Sequence, residues 1–417
     1  MPDDHVTTRA ARVRFWGLAA ALLVLLMSTN APSPIYALYQ ARFGFSPLVL
    51  TALFATYPAT LLPSLLLVAP LAEVVGHRRL LLGSLALASA AGVVFAAADG
   101  VAWLFAARAG QGVAVGSASA AFTATLIALE PAGRTRRASL VASLTATAGV
   151  GLGPLVAGIV AAKLPGPTTT AFRAMAVLCA LALAVTAGCL PAGVRPAAGR
   201  WRPRRPGWGV RGADGTAFVR AAVAVFAAWA VTALFLSLLP GRIGLRGGHH
   251  DPLLGGLASG LVLLVAAATQ AALSRLAVRT AVLAGLPLLA TALVVLVVGD
   301  ARDSAPAMLL AAVVAGAGLG LTMMGALRVT TGLSPDPRTT DGLLGTFYLA
   351  YYGGVGIPIV GVGLLATRVG TSRAIGAFAV VVAAACVAVA VWTLLAPARR
   401  VGQQGRHLNT GGVTRAR

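Results

Sequence analysis

Long apolar runs recur along the whole chain, and short gaps between them hold nearly all the charged residues. A helix needs about 20 mainly apolar residues to cross the hydrocarbon core of a bilayer. Twelve runs meet that length, at approximately 15–38, 47–71, 79–98, 101–129, 138–162, 171–193, 216–239, 253–273, 279–299, 305–332, 341–366 and 373–396. Charged residues make up only 11% of the chain, against about 25% in a soluble domain. The sequence therefore predicts an all-α membrane protein with twelve transmembrane helices.

The longest gap, Val194 to Gly215, divides the runs into two groups of six. We expect two pseudo-symmetric six-helix bundles, residues 15–193 and 216–396, joined by a basic linker, residues 194–215. A cytoplasmic segment, residues 1–14, precedes the first bundle. The polar tail, residues 397–417, is expected to be disordered because it has too few apolar residues to form a core. A cleavable signal peptide is the alternative for the first run, but the run continues past any cleavage site to Ile35 and Tyr36.

The arginines predict the orientation of the chain. Of the 33 basic residues, 24 fall in gaps on the side of the two termini and 8 on the opposite side. Since basic residues accumulate in cytoplasmic loops, we expect both termini in the cytoplasm and the chain in the plasma membrane. A net charge of +22 is also typical of proteins that bind nucleic acid, but such proteins cluster their basic residues on one face. We therefore expect no nucleic-acid partner.

The two halves of the chain contain similar stretches of sequence at an offset of about 204 to 208 residues. "RAGQGVAVG" in span four aligns with "GAGLGLTMMG", which begins at Gly316 in span ten. "AGVGLGPLVAG" from Ala148 in span five aligns with "YGGVGIPIVGV" from Tyr352 in span eleven. Repeated bundles are typical of transporters that rock two halves about a site near the midplane.

One charge, Arg108, lies inside an apolar run, where an arginine costs roughly 2.5 to 3.5 kcal/mol at the bilayer centre. Gln111 follows at i+3 and so shares its helix face. Gly112 and Gly116 allow a neighbouring helix to approach closely. At the aligned positions span ten has Gly316 and Leu319. The alternative to a buried functional arginine is one whose side chain reaches the nearby surface.

Two further stretches contain candidate functional residues, one in a loop with charged side chains and one in a span with glycines and a proline. The loop "APLAEVVGHRRLLL", from Ala69 to Leu82, contains Glu73, Gly76, Arg78 and Arg79. Span five contains Gly149, Gly153, Pro154 and Gly158, in which the proline kinks the helix and the glycines clear a packing groove. The alternatives are an ordinary basic loop and general small-residue packing.

These three stretches resemble motifs of the major facilitator superfamily: its GxLaDrxGrkxxl loop, its RxxQG motif and the GxxxGPxxGG signature of its antiporters. The resemblance implies that the loop helps to gate the cytoplasmic side and that the chain is a drug or metabolite exporter. The sequence departs from the family at Ala69, Glu73 and His77 in the loop and at Ala157 in span five.

Polar and aromatic side chains inside the runs are candidates for a substrate pocket near the midplane. They are Asn30, Tyr57, Gln270, Phe347, Tyr348, Tyr351 and Tyr352. Tyr348, Tyr351 and Tyr352 share one helix face, on which an apolar or aromatic substrate could stack. Membrane tyrosines are also common as interface anchors, and the sequence does not decide between the two roles.

All eleven acidic residues fall in gaps or at predicted span ends. Proton coupling would then use Glu130 or Asp341, act through the charge of the substrate, or be absent. The runs contain no catalytic nucleophile, carboxylate pair or metal cluster, and Cys179, Cys189 and Cys386 lie in apolar runs as small hydrophobes. We expect no enzyme, no cofactor, no metal and no disulfide framework.

The sequence thus favours a secondary active transporter that works by alternating access and exports small apolar or amphipathic compounds. We expect a monomer in the lipid bilayer, with a small-molecule substrate and protons as the candidate coupling ion. An importer or facilitator of a small organic solute is the alternative.

Overall fold

The structure is a computed structural model that describes residues 3–131, 133–191, 212–246, 249–334 and 337–396, and residues 201, 203, 207 and 210 of the linker. Its helices are α1 (Asp3–Asn30), α2 (Tyr36–Phe43), α3 (Pro47–Leu67), α4 (Ala72–Val75), α5 (His77–Ala96), α6 (Val101–Ala128), α7 (Thr135–Lys163), α8 (Pro167–Cys189), α9 (Gly212–Ser237), α10 (Leu239–Gly244), α11 (Pro252–Ala272), α12 (Val278–Ala301), α13 (Ala305–Gly332), α14 (Pro337–Val369) and α15 (Thr371–Leu395). A single 3-10 turn, Ala69–Leu71, precedes α4. Two strands of two residues each, Leu245–Arg246 and His249–His250, pair antiparallel after α10. The rest of the linker and the tail 397–417, with its predicted disorder, lie outside the described residues.

Twelve of these helices are long and apolar enough to cross a membrane. They are α1, α3, α5, α6, α7, α8, α9, α11, α12, α13, α14 and α15, here called spans one to twelve. The prediction of an all-α membrane protein with twelve transmembrane helices is confirmed. Because the number of spans is even, span one begins and span twelve ends on the same side, here called the termini face. The opposite side is the far face.

Local signals in the sequence set several helix boundaries. Ser46 accepts a hydrogen bond from the backbone N–H of Val49 at the start of span two, and Ser304 does the same for Ala307 in span ten. These side-chain oxygens satisfy N–H groups that have no partner within the helix. Gly76, with φ +86°, separates α4 from span three. Only glycine adopts such a backbone conformation without a steric cost.

The two halves pack in the same way. A Cβ on Gly112 or Gly116 of span four would collide with the backbone of span two at Tyr57 and Leu61. In span ten, Gly316 would meet the carbonyl oxygen of Val262 in span eight at 2.5 Å, and Gly320 would meet that of Ala266 at 2.6 Å. The glycines let both helix pairs approach closely. Spans two and four in the first bundle therefore correspond to spans eight and ten in the second.

These contacts also correct the alignment of the repeat. Gly112 and Gly116 make the contacts that Gly316 and Gly320 make, so the structural offset in this pair of helices is the smaller one, about 204 residues. Arg108 and Gln111 then correspond to Ala312 and Ala315, not to Gly316 and Leu319. Both alanines are fully buried. The sequence alignment of span four with span ten was displaced by one helical turn, because glycines recur at i+4 in both helices.

The two bundles meet through spans two, five, eight and eleven. A Cβ on Gly158 of span five would lie 2.6 Å from the carbonyl oxygen of Pro252 and 3.1 Å from the Cα of Gly256 in span eight. A Cβ on Gly363 of span eleven would collide with Thr51 of span two. These approaches lie toward the far face, so the bundles are closely packed on that side.

Candidate functional site

The guanidinium of Arg108 is buried in the first bundle, with 1% of the residue exposed. Its Nη1 donates a hydrogen bond to the backbone carbonyl of Thr29 in span one and another, at 3.0 Å, to Oε1 of Gln111. Gln111 in turn donates from Nε2 to the carbonyl of Ser28 at 2.7 Å. The pair on span four is therefore held against the end of span one by backbone carbonyls, and the charge does not extend to the surface.

Aromatic rings of span two cover the same guanidinium. The Cζ of Arg108 lies 4.9 Å from the ring centroid of Tyr57 and 5.6 Å from that of Phe54. A cation within about 6 Å of a ring face is attracted by the negative face of the ring. This arrangement offsets part of the cost of burying a charge that has no carboxylate partner among the ion pairs of the described residues.

Two polar atoms near this guanidinium group have no hydrogen-bond partner among the described residues. They are Nε of Arg108 and the hydroxyl of Tyr36, both buried. Tyr36 is the first residue of α2, just beyond the end of span one, and is 1% exposed. Buried donors of this kind are costly unless an acceptor is supplied.

Tyr351 and Tyr352 of span eleven lie at the boundary between the bundles. The ring of Tyr351 lies 4.2 Å from the ring of Trp229 in span seven and 4.3 Å from that of Tyr352. Tyr352 packs against the same core as Tyr57 of span two, and a Cβ on Gly356, one turn after Tyr352, would lie 3.7 Å from the side chain of Pro58, next to Tyr57. The indole Nε1 of Trp229 is also buried without a hydrogen-bond partner. Here Tyr57, Trp229, Tyr351 and Tyr352 are called the aromatic cluster.

The other predicted pocket residues are distributed differently. Tyr348 contacts the cluster, with its ring 6.2 Å from that of Tyr351, and Gln270 is half-buried near the end of span eight. Asn30 is the last residue of α1 and is 7% exposed. Phe347 is fully buried in a core formed with Phe218 and other residues of the second bundle. The structure thus brings Tyr57, Tyr348, Tyr351 and Tyr352 together and leaves Phe347 in a core.

The glycines of span five allow close contacts with two other helices, span one and span eight. A Cβ on Gly149 would lie 2.6 Å from the carbonyl oxygen of Leu23 in span one, and one on Gly153 would collide with Met27 of the same span. Gly158 instead faces Gly256 of span eight across the bundle boundary, and the carbonyl oxygen of Pro154 is the nearest atom to a Cβ on Gly256, at 2.6 Å. Span five therefore connects span one with the second bundle.

The loop before span three lies on the termini face. Glu73 and Arg79 are exposed, and no described residue forms an ion pair with either. Arg78 donates from Nε to the carbonyl of Leu190 at 3.0 Å, at the end of span six. Arg279, at the start of span nine, donates in the same way to the carbonyl of Leu394 at the end of span twelve. Arg78 thus joins helices within its own bundle, and gating by this loop stays a prediction.

Two buried carboxylates are paired with arginines. Glu130, beyond the end of span four, lies 3.2 Å from Arg137. Asp300 lies in the last turn of span nine and accepts a hydrogen bond at 2.7 Å from Nε of Arg242 in α10. The sequence placed Asp300 in a gap, but its helix continues to Ala301 and buries the carboxylate. The side chain of Asp341 lies outside the described part of the chain.

Comparison with known proteins agrees with this architecture. The family model of the Major Facilitator Superfamily matches residues 18–338. The chain belongs to the major facilitator superfamily. It is therefore a multi-pass membrane transporter. None of the curated proteins compared with the chain matches it significantly.

Solved structures show the same fold. The crystal structure of the peptide transporter POT in complex with sulfate has a TM-score of 0.73 at 16% identity, covering 93% of this chain and 94% of that one. A POT family transporter in complex with 5-aminolevulinic acid has a TM-score of 0.71 at 14% identity, covering 93% and 96%. At this level of identity the similarity shows a common fold and does not extend to the transported compound.

Proposed function

We propose that this protein is a secondary active transporter that exports small apolar or amphipathic compounds across the plasma membrane by alternating access, with both termini in the cytoplasm. The aromatic cluster carries this proposal. It lies where spans two, seven and eleven meet, at the boundary between the bundles, and offers ring faces together with one unpartnered indole N–H. Such a surface binds apolar or aromatic compounds and orients them through few polar contacts.

The contacts of Arg108 support a role for this residue at the same site. It lies over the ring of Tyr57, which belongs to the cluster, and donates a hydrogen bond to the backbone carbonyl of Thr29 in span one. A change in the position of Tyr57 on substrate binding would therefore reach span one through Arg108. We infer that Arg108 positions spans one, two and four relative to the substrate.

Export is the direction we propose, on the strength of the glycine and proline pattern of span five. Gly149 and Gly153 pack against span one, and Gly158 packs against span eight. A helix in contact with both bundles is suited to transmit their relative movement. Proton coupling would use Glu130 or Asp341, or the charge of the substrate itself.

One observation favours import or facilitated diffusion of a charged organic solute as a second candidate. Nε of Arg108 and the hydroxyl of Tyr36 are buried donors without an acceptor. A carboxylate or another anionic group is the acceptor that such donors bind most strongly. Transporters of similar fold have been solved with sulfate and with 5-aminolevulinic acid, and compounds of this kind are the candidates for this alternative.

The two candidates differ in their response to a proton gradient. Inside-out vesicles that contain the protein would be energised and screened with cationic and aromatic compounds, and with small carboxylates. Uptake into the vesicles that an uncoupler abolishes is expected for export by proton exchange. Equilibration that does not depend on the gradient would support the facilitator, and the absence of transport of every compound class would contradict the proposed substrate range.

A further inference from the structure

Spans one and seven both break before they reach the far face. Span one ends at Asn30, and α2 begins at Tyr36 after a turn that contains Pro32 and Pro34. Span seven ends at Ser237, and α10 begins at Leu239, followed by Pro240. Proline lacks the N–H that a continuous helix needs. The short helices α2 and α10 are here called the first and second tips.

The two tips touch across the boundary between the bundles. A Cβ on Gly241 of the second tip would lie 3.4 Å from the Cβ of Ala37 in the first. The start of span eight packs behind the second tip, because a Cβ on Gly255 would lie 3.0 Å from the carbonyl oxygen of Pro240. The tips therefore form part of the closure of the far face.

The first tip is held to its own bundle by an uncharged contact. The hydroxyl of Tyr39 donates to the carbonyl of Phe95 at 2.6 Å, at the end of span three, and lies 3.2 Å from the carbonyl of Thr168 in span six. Its ring stacks on that of Phe172 at 6.0 Å. The residue is 1% exposed.

The second tip is held at the equivalent place by an ion pair. Nε of Arg242 lies 2.7 Å from Oδ1 of Asp300 at the end of span nine, which corresponds to span three in the repeat. The side chain of Asp300 is 7% exposed and that of Arg242 is 29% exposed. Removing either partner would leave a charge in a largely buried place, which is costly.

We propose that Arg242 and Asp300 are positioning residues of a far-face gate, in which their ion pair keeps the second tip against the first. This inference rests on the proposed alternating access, since the tips must separate when the far face opens. The first tip is held by a neutral hydrogen bond, so the strength of the gate depends on charge only in the second bundle. Neutralising the pair releases the second tip and weakens its contact with the first.

Disulfide cross-linking measures the contact between the tips directly. The Ala37→Cys/Gly241→Cys protein has a Cβ separation close to that of native disulfides, so a mild oxidant should cross-link it efficiently. Asp300→Asn or Arg242→Gln should lower the yield several-fold in this background. The exchange variant Arg242→Asp/Asp300→Arg, which restores an ion pair with its charges reversed, should recover most of the yield.

Two controls separate release of the tip from general unfolding. Ala91→Cys/Gly110→Cys joins spans three and four, with a Cβ separation of 3.5 Å, and its cross-linking should not respond to Asp300→Asn. Arg302→Gln removes an exposed arginine two residues beyond Asp300 and should leave cross-linking between the tips unchanged.

The proposal is overturned if the single variants cross-link the tips as the parent does, or if Arg302→Gln lowers the yield as much as Asp300→Asn. If a single variant fails to insert in the membrane, the exchange variant decides: cross-linking near the parent level supports the proposal, and its loss contradicts it. Cross-linking needs no substrate, so its outcome is independent of the vesicle experiment that tests the proposed export.

Discussion

Arg108 shows how a membrane protein accommodates a charge with no carboxylate partner among the ion pairs of its described residues. Its charge is shared among one backbone carbonyl, the amide oxygen of Gln111 and two aromatic rings. Both hydrogen bonds are donated by Nη1, and Nε is buried without a hydrogen-bond partner among the described residues. The resulting site keeps a positive charge next to the aromatic cluster without neutralising it.

We predict that Arg108→Ala lowers the transport rate at least about tenfold, because hydrogen bonds to a charged group contribute about 1.5 to 3 kcal/mol and 1.4 kcal/mol is a factor of ten. Uptake by vesicles would be measured with whichever compound the screen identifies. Arg173→Ala, which removes an exposed arginine of span six, is the matched control and should transport normally. A normal rate for Arg108→Ala, with equal amounts of protein in the membrane, would contradict the role we assign to the arginine.

The contact of Arg108 with Gln111 could be predicted from the sequence, and the contacts of Arg108 with other helices could not. Spacing of i to i+3 is enough to place Arg108 beside Gln111, because both lie on one helix. The carbonyl of Thr29 and the ring of Tyr57 come from other helices, whose positions depend on packing. The burial of Asp300 in a helix was not predicted for a similar reason. Its partner Arg242 lies 58 residues away, and the sequence alone does not indicate that the two side chains pair.

At the scale of helices, glycine positions determine which spans approach closely. The same spacing in spans four and ten leads to the same contact with spans two and eight. The sequence showed the glycines but not the register between repeats, since a shift of one helical turn superposes one glycine on another. The contacts that distinguish the two registers exist only in the folded bundles.

Span five offers a direct test of this packing. Gly153→Ala places a methyl group against the backbone of Met27 in span one, and overpacking of this kind costs about 1 to 3 kcal/mol. We expect the midpoint of thermal unfolding in detergent to fall by several degrees. Gly361→Ala in span eleven, where a Cβ would meet nothing within 4 Å, should leave the midpoint unchanged or raise it. Equal midpoints for the two variants would show that span five does not need its glycine for close packing.

At the scale of the whole molecule, the structure is asymmetric between its two faces. Close contacts across the bundle boundary, including the touching tips and the glycine contacts of spans five and eleven, lie toward the far face. On the termini face, Glu73 and Arg79 of the loop are exposed, and Arg78 is bound within its own bundle. If the termini are cytoplasmic, as the arginine distribution predicts, this state is closed toward the outside.

Alternating access is the central claim, and distances between spin labels on opposite bundles test it most directly. One pair, at Lys163 and Arg302, would report on the far face, and a second pair, at Arg79 and Arg275, would report on the termini face. All four positions are exposed; the buried cysteines Cys179, Cys189 and Cys386 would be replaced. We predict two distance populations for each pair, such that conditions that lengthen the distance on the far face shorten it on the termini face. A single, unchanging distance on both faces, in the presence and absence of a proton gradient, would contradict the account.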